Sequence, residues 1–332
     1  MEGFFPVDGF VFDTHTDIQN GFIKRIHTEG TACALEWLGT VKNGQECSYP
    51  RSLSLSWPAC DTNAYLLEIA ENEDFQDALC ITTDKNCWEL HNLKIGQTYY
   101  WRVNGGEIHY FQTENSAPRF IKIDGALNVR DLGGNKIKQG IIYRGTEFDE
   151  YYHLAPDGYR SFVEDLKIKT ELDLRGESNV HLEISPLKNK VNIIQYWYRP
   201  YMEVFEEQHK KKLCKIMEVF ADEQNYPIYM HCVGGADRTG MVALYLRALV
   251  GESDDDIHTD YELTGLSTYA YGISEGATGY RNRTSPYYVE FLEELRKGFD
   301  LDAPLSVVVK SFLLNCGVTQ ECINKIIKII KK

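Results

Sequence analysis

Apolar and polar residues change their period along the chain, and the change divides it. From about residue 50 to 115 they alternate in twos, as in Leu53-Ser-Leu-Ser-Trp57, part of Tyr65-Leu-Leu-Glu-Ile-Ala70, and Tyr99-Tyr-Trp-Arg-Val103. Asp61-Thr-Asn and Asn104-Gly-Gly break these runs as turns, so short strands of an antiparallel sandwich are predicted, with Trp57, Tyr99 and Trp101 in its core. Phe10-Val-Phe-Asp13 and Ala34-Leu-Glu-Trp-Leu38 read as further strands, which makes residues 1–115 an expected all-β unit. Asp13-Thr-His-Thr-Asp17 offers His15 and Asp17 without further ligands at matching spacing, and reads as a polar turn rather than a metal site. Residues Thr113 to Pro118 are small, polar and end in proline, and mark the expected boundary.

Residues 116–332 follow a different pattern. Arg119-Phe-Ile-Lys-Ile123, Gly140-Ile-Ile-Tyr-Arg-Gly145 and Lys167 to Leu174 read as strands, whereas 156–167 and 209–220 read as helices. Strands alternating with helices predict an α/β domain: a mostly parallel, helix-flanked sheet with functional groups at the strands' C-terminal ends. Ser267 to Pro286, rich in Tyr, Gly and Ser and carrying Arg281 and Arg283, is a candidate lid or an ordered surface loop. The final residues, Val318 to Lys332, repeat Ile at helical spacing against Lys and predict a docking helix.

One stretch carries chemistry. His231-Cys-Val-Gly-Gly-Ala-Asp-Arg-Thr-Gly240 follows the apolar run Pro227 to Met230 and opens the apolar stretch Met241 to Val250, which Gly251 stops. A strand leading through a glycine-containing loop into a helix aims several backbone N–H groups at one anion, so Val233, Gly234, Gly235, Ala236, Asp237 and Arg238 form an expected phosphate cradle. Cys232 sits inside it, where N–H dipoles and the Arg238 guanidinium favour a thiolate. Arg238 matches two phosphoryl oxygens with its planar fork. His231 is expected to orient the loop and favour the thiolate. Thr239 either caps the helix or donates to the sulfur. Asp173 and Arg175 end a neighbouring strand, and Arg130 and Asp131 read as an internal ion pair shaping the wall or as direct participants.

His231-Cys-x5-Arg-Thr-Gly resembles the signature of the Cys-dependent protein tyrosine phosphatase superfamily. Leu127-Asn-Val-Arg-Asp-Leu-Gly-Gly134 resembles the Asn-aromatic-Arg-Asp-Leu-Gly motif of its atypical bacterial tyrosine or dual-specificity branch, which has some phosphoinositide activity. Glu171-Leu-Asp-Leu-Arg175, followed by Glu177, is similar to the same branch's Asp-Leu-Arg strand end. The resemblance covers roughly 115 to 332. It implies a tyrosine-phosphatase-like fold, phosphomonoester hydrolysis through a phosphocysteine on Cys232, no cofactor, and an Arg144 that braces the active-site region. It also puts Asp237 in the place of a loop aspartate proposed as general acid, with Asp131 and Asp173 as alternatives. A lysine frequent before that aspartate is Ala236 here. The lost cation favours phosphotyrosine or another phosphomonoester, from a protein or a small molecule, over multiply charged phosphoinositides. A catalytically silent phosphate-binding module stands as the rival reading. Separately, Leu93 to Val103 resembles the late strands of fibronectin type III modules, which implies a platform for a protein partner. Trp57-Pro58 imitates a mobile Trp-Pro-Asp loop, but Ala59 follows and the position lies in the β unit.

Composition changes this picture in two respects. A net charge of −14 disfavours nucleic acid as a partner, since such binding neutralises phosphates with Lys and Arg, and it requires the positive potential of the cradle to be local. No run approaches the 18 or so apolar residues of a membrane span, the N-terminus carries no secretory pattern, and nine irregularly spaced cysteines fit a reducing compartment, so a cytoplasmic location is expected.

Overall fold

The computed structural model describes residues 3–176, 183–268, 285–300 and 302–332. Seven strands precede residue 115: β1 (Phe10–Phe12), β2 (Leu53–Ser56), β3 (Tyr65–Ala70), β4 (Leu79–Thr83), β5 (Cys87–Leu90), β6 (Thr98–Val103) and β7 (His109–Thr113). They form a five-stranded sheet in the order β1-β7-β6-β3-β4 and a two-stranded ribbon, β2-β5. The alternating residues do what their period requires. Leu53, Leu55, Trp57, Tyr65, Leu67, Ile69, Tyr99, Trp101 and Phe111 share one core, while Ser54, Leu66 and Tyr110 face outward.

The expectation that everything before 115 is β is overturned. Helices α1 (Asp17–Thr28) and α2 (Thr31–Lys42) occupy this region, and Ala34 to Leu38 lies inside α2 rather than in a strand. The buried positions of α2 are Thr31, Ala34, Leu38 and Lys42, spaced by three and four as on one helix face. The turn before α1 is a capping box, with Thr16 and Gln19 exchanging hydrogen bonds. His15 contacts the Pro118 carbonyl and Asn20 through its two ring nitrogens. The two helices pack Phe22, Ile26, Ala34 and Leu38 against Phe120, Leu263 and Leu266, and Lys42 donates to the carbonyls of Gly265 and Ser267 at 2.7 Å.

The second sheet has six strands in the order β12-β11-β13-β10-β9-β8. They are β8 (Arg119–Phe120), β9 (Arg130–Asp131), β10 (Ile142–Gly145), β11 (Thr170–Asp173), β12 (Asn192–Gln195) and β13 (Ile228–His231). The last four named pair in parallel, and β8 and β9 add antiparallel edges. Helix α3 (Pro156–Arg160) runs on through a π-helical turn to Asp165, close to the predicted helix. Then follow α4 (Glu207–Phe220), α5 (Asp237–Leu249), α6 (Asp254–Glu262), α7 (Pro286–Leu295), α8 (Leu305–Asn315) and α9 (Gln320–Ile330). The chain returns from β12 through α4 to insert β13 between β11 and β10. The loop after β13 therefore opens at the middle of the sheet's C-terminal edge, where parallel sheets bind ligands.

Each face of the sheet has its own core. Ile228, Met230 and Cys232 join the cluster of α4, α5 and the C-terminal helices, whereas Tyr229 joins Phe148 and Phe162 on the opposite face. Helix α5 is buried along almost its whole circumference, which is why its sequence is apolar without a polar stripe. The C-terminal docking helix is found as α9, with Ile323, Ile326 and Ile330 buried. Among the described residues no helix is long and apolar enough to cross a membrane.

Candidate active site

The loop from Cys232 to Ala236 is built by turning its carbonyls outward. The amide of Glu147 donates to the Val233 carbonyl at 3.1 Å, Asn128 Nδ2 to that of Gly234 at 3.0 Å, and Arg144 Nη2 to that of Gly235 at 2.6 Å. Each peptide N–H points opposite to its C=O, so three consecutive carbonyls held from outside leave the N–H groups of the loop for the inner side, at the N-terminus of α5. Gly235 has a φ of +62°, and a β-carbon there would lie 2.2 Å from the Gly145 carbonyl oxygen. Gly235→Ala should therefore disturb the cradle directly. We expect about 1–3 kcal/mol of lost stability and a fall in kcat of at least about tenfold, measured by denaturant melts and p-nitrophenyl phosphate turnover.

Cys232 is 3% exposed at the base of this loop. Burial pushes its thiol up, but the Arg238 guanidinium, then the hydroxyl and amide of Thr239, outweigh burial and hold it below its ordinary value. Thr239 Oγ1 is buried without a hydrogen-bond partner among the described residues, and α5 begins at Asp237 without a side-chain cap. Thr239 therefore does not cap the helix, and its hydroxyl and amide both favour the Cys232 thiolate. Arg238 Nη1 donates to the carbonyls of Leu174 and Arg175 at 3.2 Å, so the end of β11 places the guanidinium.

Register explains what lies beneath. Asp173 pairs with His231 and Glu171 with Tyr229, so Glu171, Asp173 and His231 share a face. His231 Nε2 meets Glu171 Oε1 at 3.1 Å, and Ser185 Oγ donates to the other Glu171 oxygen at 2.8 Å. Burial would lower the His231 pKa, but Asp173 and Glu171 raise it above the ordinary value. The two carboxylates thus favour the protonated imidazole one residue before Cys232.

Several expected roles are redistributed. Arg130 and Asp131 do not pair with each other, because adjacent strand residues point to opposite faces. Arg130 reaches Asp260 through Nε at 2.8 Å, and Asp131 pairs with Arg119 at 3.1 Å while accepting the amides of Gly133 and Gly140. Asp131 is fully buried, and its carboxylate is spent on the β9 turn. Asp173 and Arg175 bind one another at 2.9 Å, and Arg175 also takes Asp149 in a bidentate grip at 2.6 and 3.0 Å. Both ends of that pair are engaged, so Asp173 is displaced as an acid candidate. Glu177 and most of the candidate lid, including Arg281 and Arg283, lie outside the described residues. Asp237, partly exposed in the first turn of α5, accepts from the Tyr201 hydroxyl at 2.5 Å.

The sequence reading missed the group that braces the cradle from below. Asp260, on α6, binds Arg130, Arg144 and Arg247. Burial would raise its pKa, but the three guanidinium groups pull it far below the ordinary carboxylate range. Arg144 thereby connects Asp260 to the Gly235 carbonyl, in keeping with the bracing expected of it. Asp260 carried no local signal, since it lies among four other acidic residues of its helix, Asp254, Asp255, Asp256 and Glu262. Asn128, inside a quoted motif, has a φ of +56° and serves both Gly234 and Arg130, a role its sequence neighbours suggest only once the fold is known.

Residues 121–297, more than half of the 332-residue chain, match the family model described as the tyrosine phosphatase family. The chain belongs to the tyrosine phosphatase family. It is a Cys-dependent phosphatase, and the matched region contains every cradle residue described above. Solved structures similar to this phosphatase include the core catalytic domain of the PP-IP phosphatase Siw14 from S. cerevisiae in complex with citrate. That match has 18% identity over 55% of this chain and 94% of the other, with a TM-score of 0.33. Another is P. aeruginosa TpbA in complex with pTyr, at 13% identity over 59% and 98% of the two chains, with a TM-score of 0.34. No curated protein sequence gives a significant match. At such identities and TM-scores, the assignment rests on the family match.

Proposed function

We propose that the enzyme hydrolyses phosphomonoesters in two steps through a phosphocysteine on Cys232, with phosphotyrosine as the favoured substrate class. The observation that carries this reading is the set of three outward-held carbonyls around a buried thiol facing Arg238. In the first step the thiolate attacks phosphorus and the P–O bond to the alcohol breaks. The amides of Val233 to Arg238 and the Arg238 guanidinium hold the equatorial oxygens as charge spreads over them. Asp237 gives its proton to the departing oxygen. In the second step water attacks the phosphocysteine, Asp237 takes the water's proton, and the thiolate leaves with inorganic phosphate formed. His231, paired with Glu171, and the Thr239 hydroxyl and amide favour the thiolate before it attacks and as it leaves phosphorus.

Asp237→Asn tests the acid role. We expect kcat on phenyl phosphate, a poor leaving group, to fall about 10²-fold or more, and that on p-nitrophenyl phosphate far less. Equal losses on the two would remove Asp237 from the role. A panel of phosphotyrosine peptides and phosphoinositides tests the substrate class. With Ala236 where a cation would strengthen polyanion binding, kcat/KM should favour the peptides, and a preference for phosphoinositides would reverse the assignment.

We further propose that the chain divides near residue 116 and that its β strands form a fibronectin type III-like module that docks a protein partner. The five-plus-two strand arrangement around Trp57 and Trp101 and the outward Tyr100 and Tyr110 support this reading. Nine free cysteines support a reducing, cytoplasmic setting.

A further inference from the structure

Asp237 is met by a side chain that neither the cradle nor the strand ends supply. Tyr201 opens a short 3-10 turn between β12 and α4 and has a φ of +59°. A left-handed backbone at a bulky aromatic residue is unfavourable and persists only where the surroundings impose it. Here the conformation delivers a phenol to the carboxylate. Tyr201 donates to Asp237 Oδ1 at 2.5 Å, and its oxygen also contacts the Tyr261 hydroxyl. The Tyr261 ring stacks on Tyr288 at 4.4 Å, and the Tyr288 hydroxyl meets His258 Nδ1 at 2.7 Å. Tyr201 is itself buried, with the half-exposed Tyr287 ring 6.1 Å away.

We propose that Tyr201 is a positioning residue for Asp237, holding one carboxyl oxygen so that the other carries the proton to the leaving group. This rests on Asp237 acting as the general acid. The Tyr201 hydroxyl donates to Asp237, and Oδ1 is the oxygen that accepts it. Tyr201 does not lose its proton at any step. Burial, Tyr261 and Asp237 all hold that phenol well above the ordinary tyrosine value. Among the described residues this pair is met by Tyr261 from α6, Tyr287 from α7 and Cys232 from the cradle.

The test uses the full chain and two substrates of different leaving-group quality. Tyr201→Phe keeps the ring and removes the hydroxyl. We expect kcat on phenyl phosphate to fall about tenfold and that on p-nitrophenyl phosphate by less than about threefold, because only a poor leaving group needs the aimed proton. In an Asp237→Asn background the same change should have no further effect on the leaving-group dependence. If Asp237→Asn discriminates between the substrates and Tyr201→Phe slows both equally or neither, the positioning role is overturned while the acid role stands. If Asp237→Asn itself does not discriminate, the acid role fails and the positioning role falls with it. Should Tyr201→Phe not fold, Tyr261→Phe removes only the outer link. A smaller loss in the same substrate order supports the proposal, and unchanged ratios overturn it.

Discussion

Cys232→Ser is expected to lower kcat for p-nitrophenyl phosphate by at least about 10⁴-fold, as removal of a nucleophile does when the rest of a site remains. The reason lies in what the cradle can ionise. A thiol starts near 8.5, and the Arg238 guanidinium with the Thr239 hydroxyl and amide brings Cys232 lower despite burial. A serine hydroxyl starts so much higher that the same field leaves it protonated. Phosphate affinity should survive, because the amides and Arg238 are untouched, and inorganic phosphate should inhibit or protect the variant at concentrations like those for the native enzyme. The acid limb of the native profile should also lie below the ordinary thiol range, since the folded thiol titrates lower. Turnover by the serine variant within about tenfold of native would end the covalent mechanism.

Asp260→Asn is expected to have the largest effect on stability, about 3–5 kcal/mol, read from urea denaturation. Removing one charge from a buried cluster leaves the others uncompensated. Here those others are three guanidinium groups, of which, among the described residues, Arg247 alone has a second carboxylate partner, Glu252. Burial and the neighbouring Arg144 already pull the Arg130 pKa down to about 10 with Asp260 present. Because Arg144 also holds the Gly235 carbonyl, the same variant should lose activity when still folded. The pH dependence has a definite sign. Asp260 is held below the ordinary aspartate value of about 4, so its stabilisation is complete above that pH and is lost as acid approaches the lower folded value. The native protein should therefore lose stability below about pH 4 more steeply than Asp260→Asn does. Parallel acid transitions would show that the three arginines do not depend on that charge.

The site was legible in the sequence where its parts are contiguous. Cys232, Arg238, the loop amides and Thr239 lie within eight residues, and the strand and helix on either side declare themselves by composition. The same holds for the alternating strands around Trp57 and Trp101, whose period needs no partner to be read. Ala34 to Leu38 failed for a local reason. Five residues do not separate a strand from a helix face, and only the continuation through Thr31 and Lys42 shows spacing by three and four.

Arg130 and Asp131 show the opposite limit. Adjacent opposite charges suggest a pair, but on a strand they point to opposite faces, and their partners, Asp260 and Arg119, are 130 and 12 residues away. Likewise Glu171 becomes the partner of His231 only through the register of β11 on β13, and Tyr201 reaches Asp237 across 36 residues. By itself the sequence determined the family and pointed to the proposed nucleophile and cradle, because a thiol, its cation and its amides are carried by one short segment whose conformation is local. Tertiary structure alone decided what holds that segment in shape, because buried charges and carbonyls are satisfied by whatever group the packing brings to them, however far along the chain it lies.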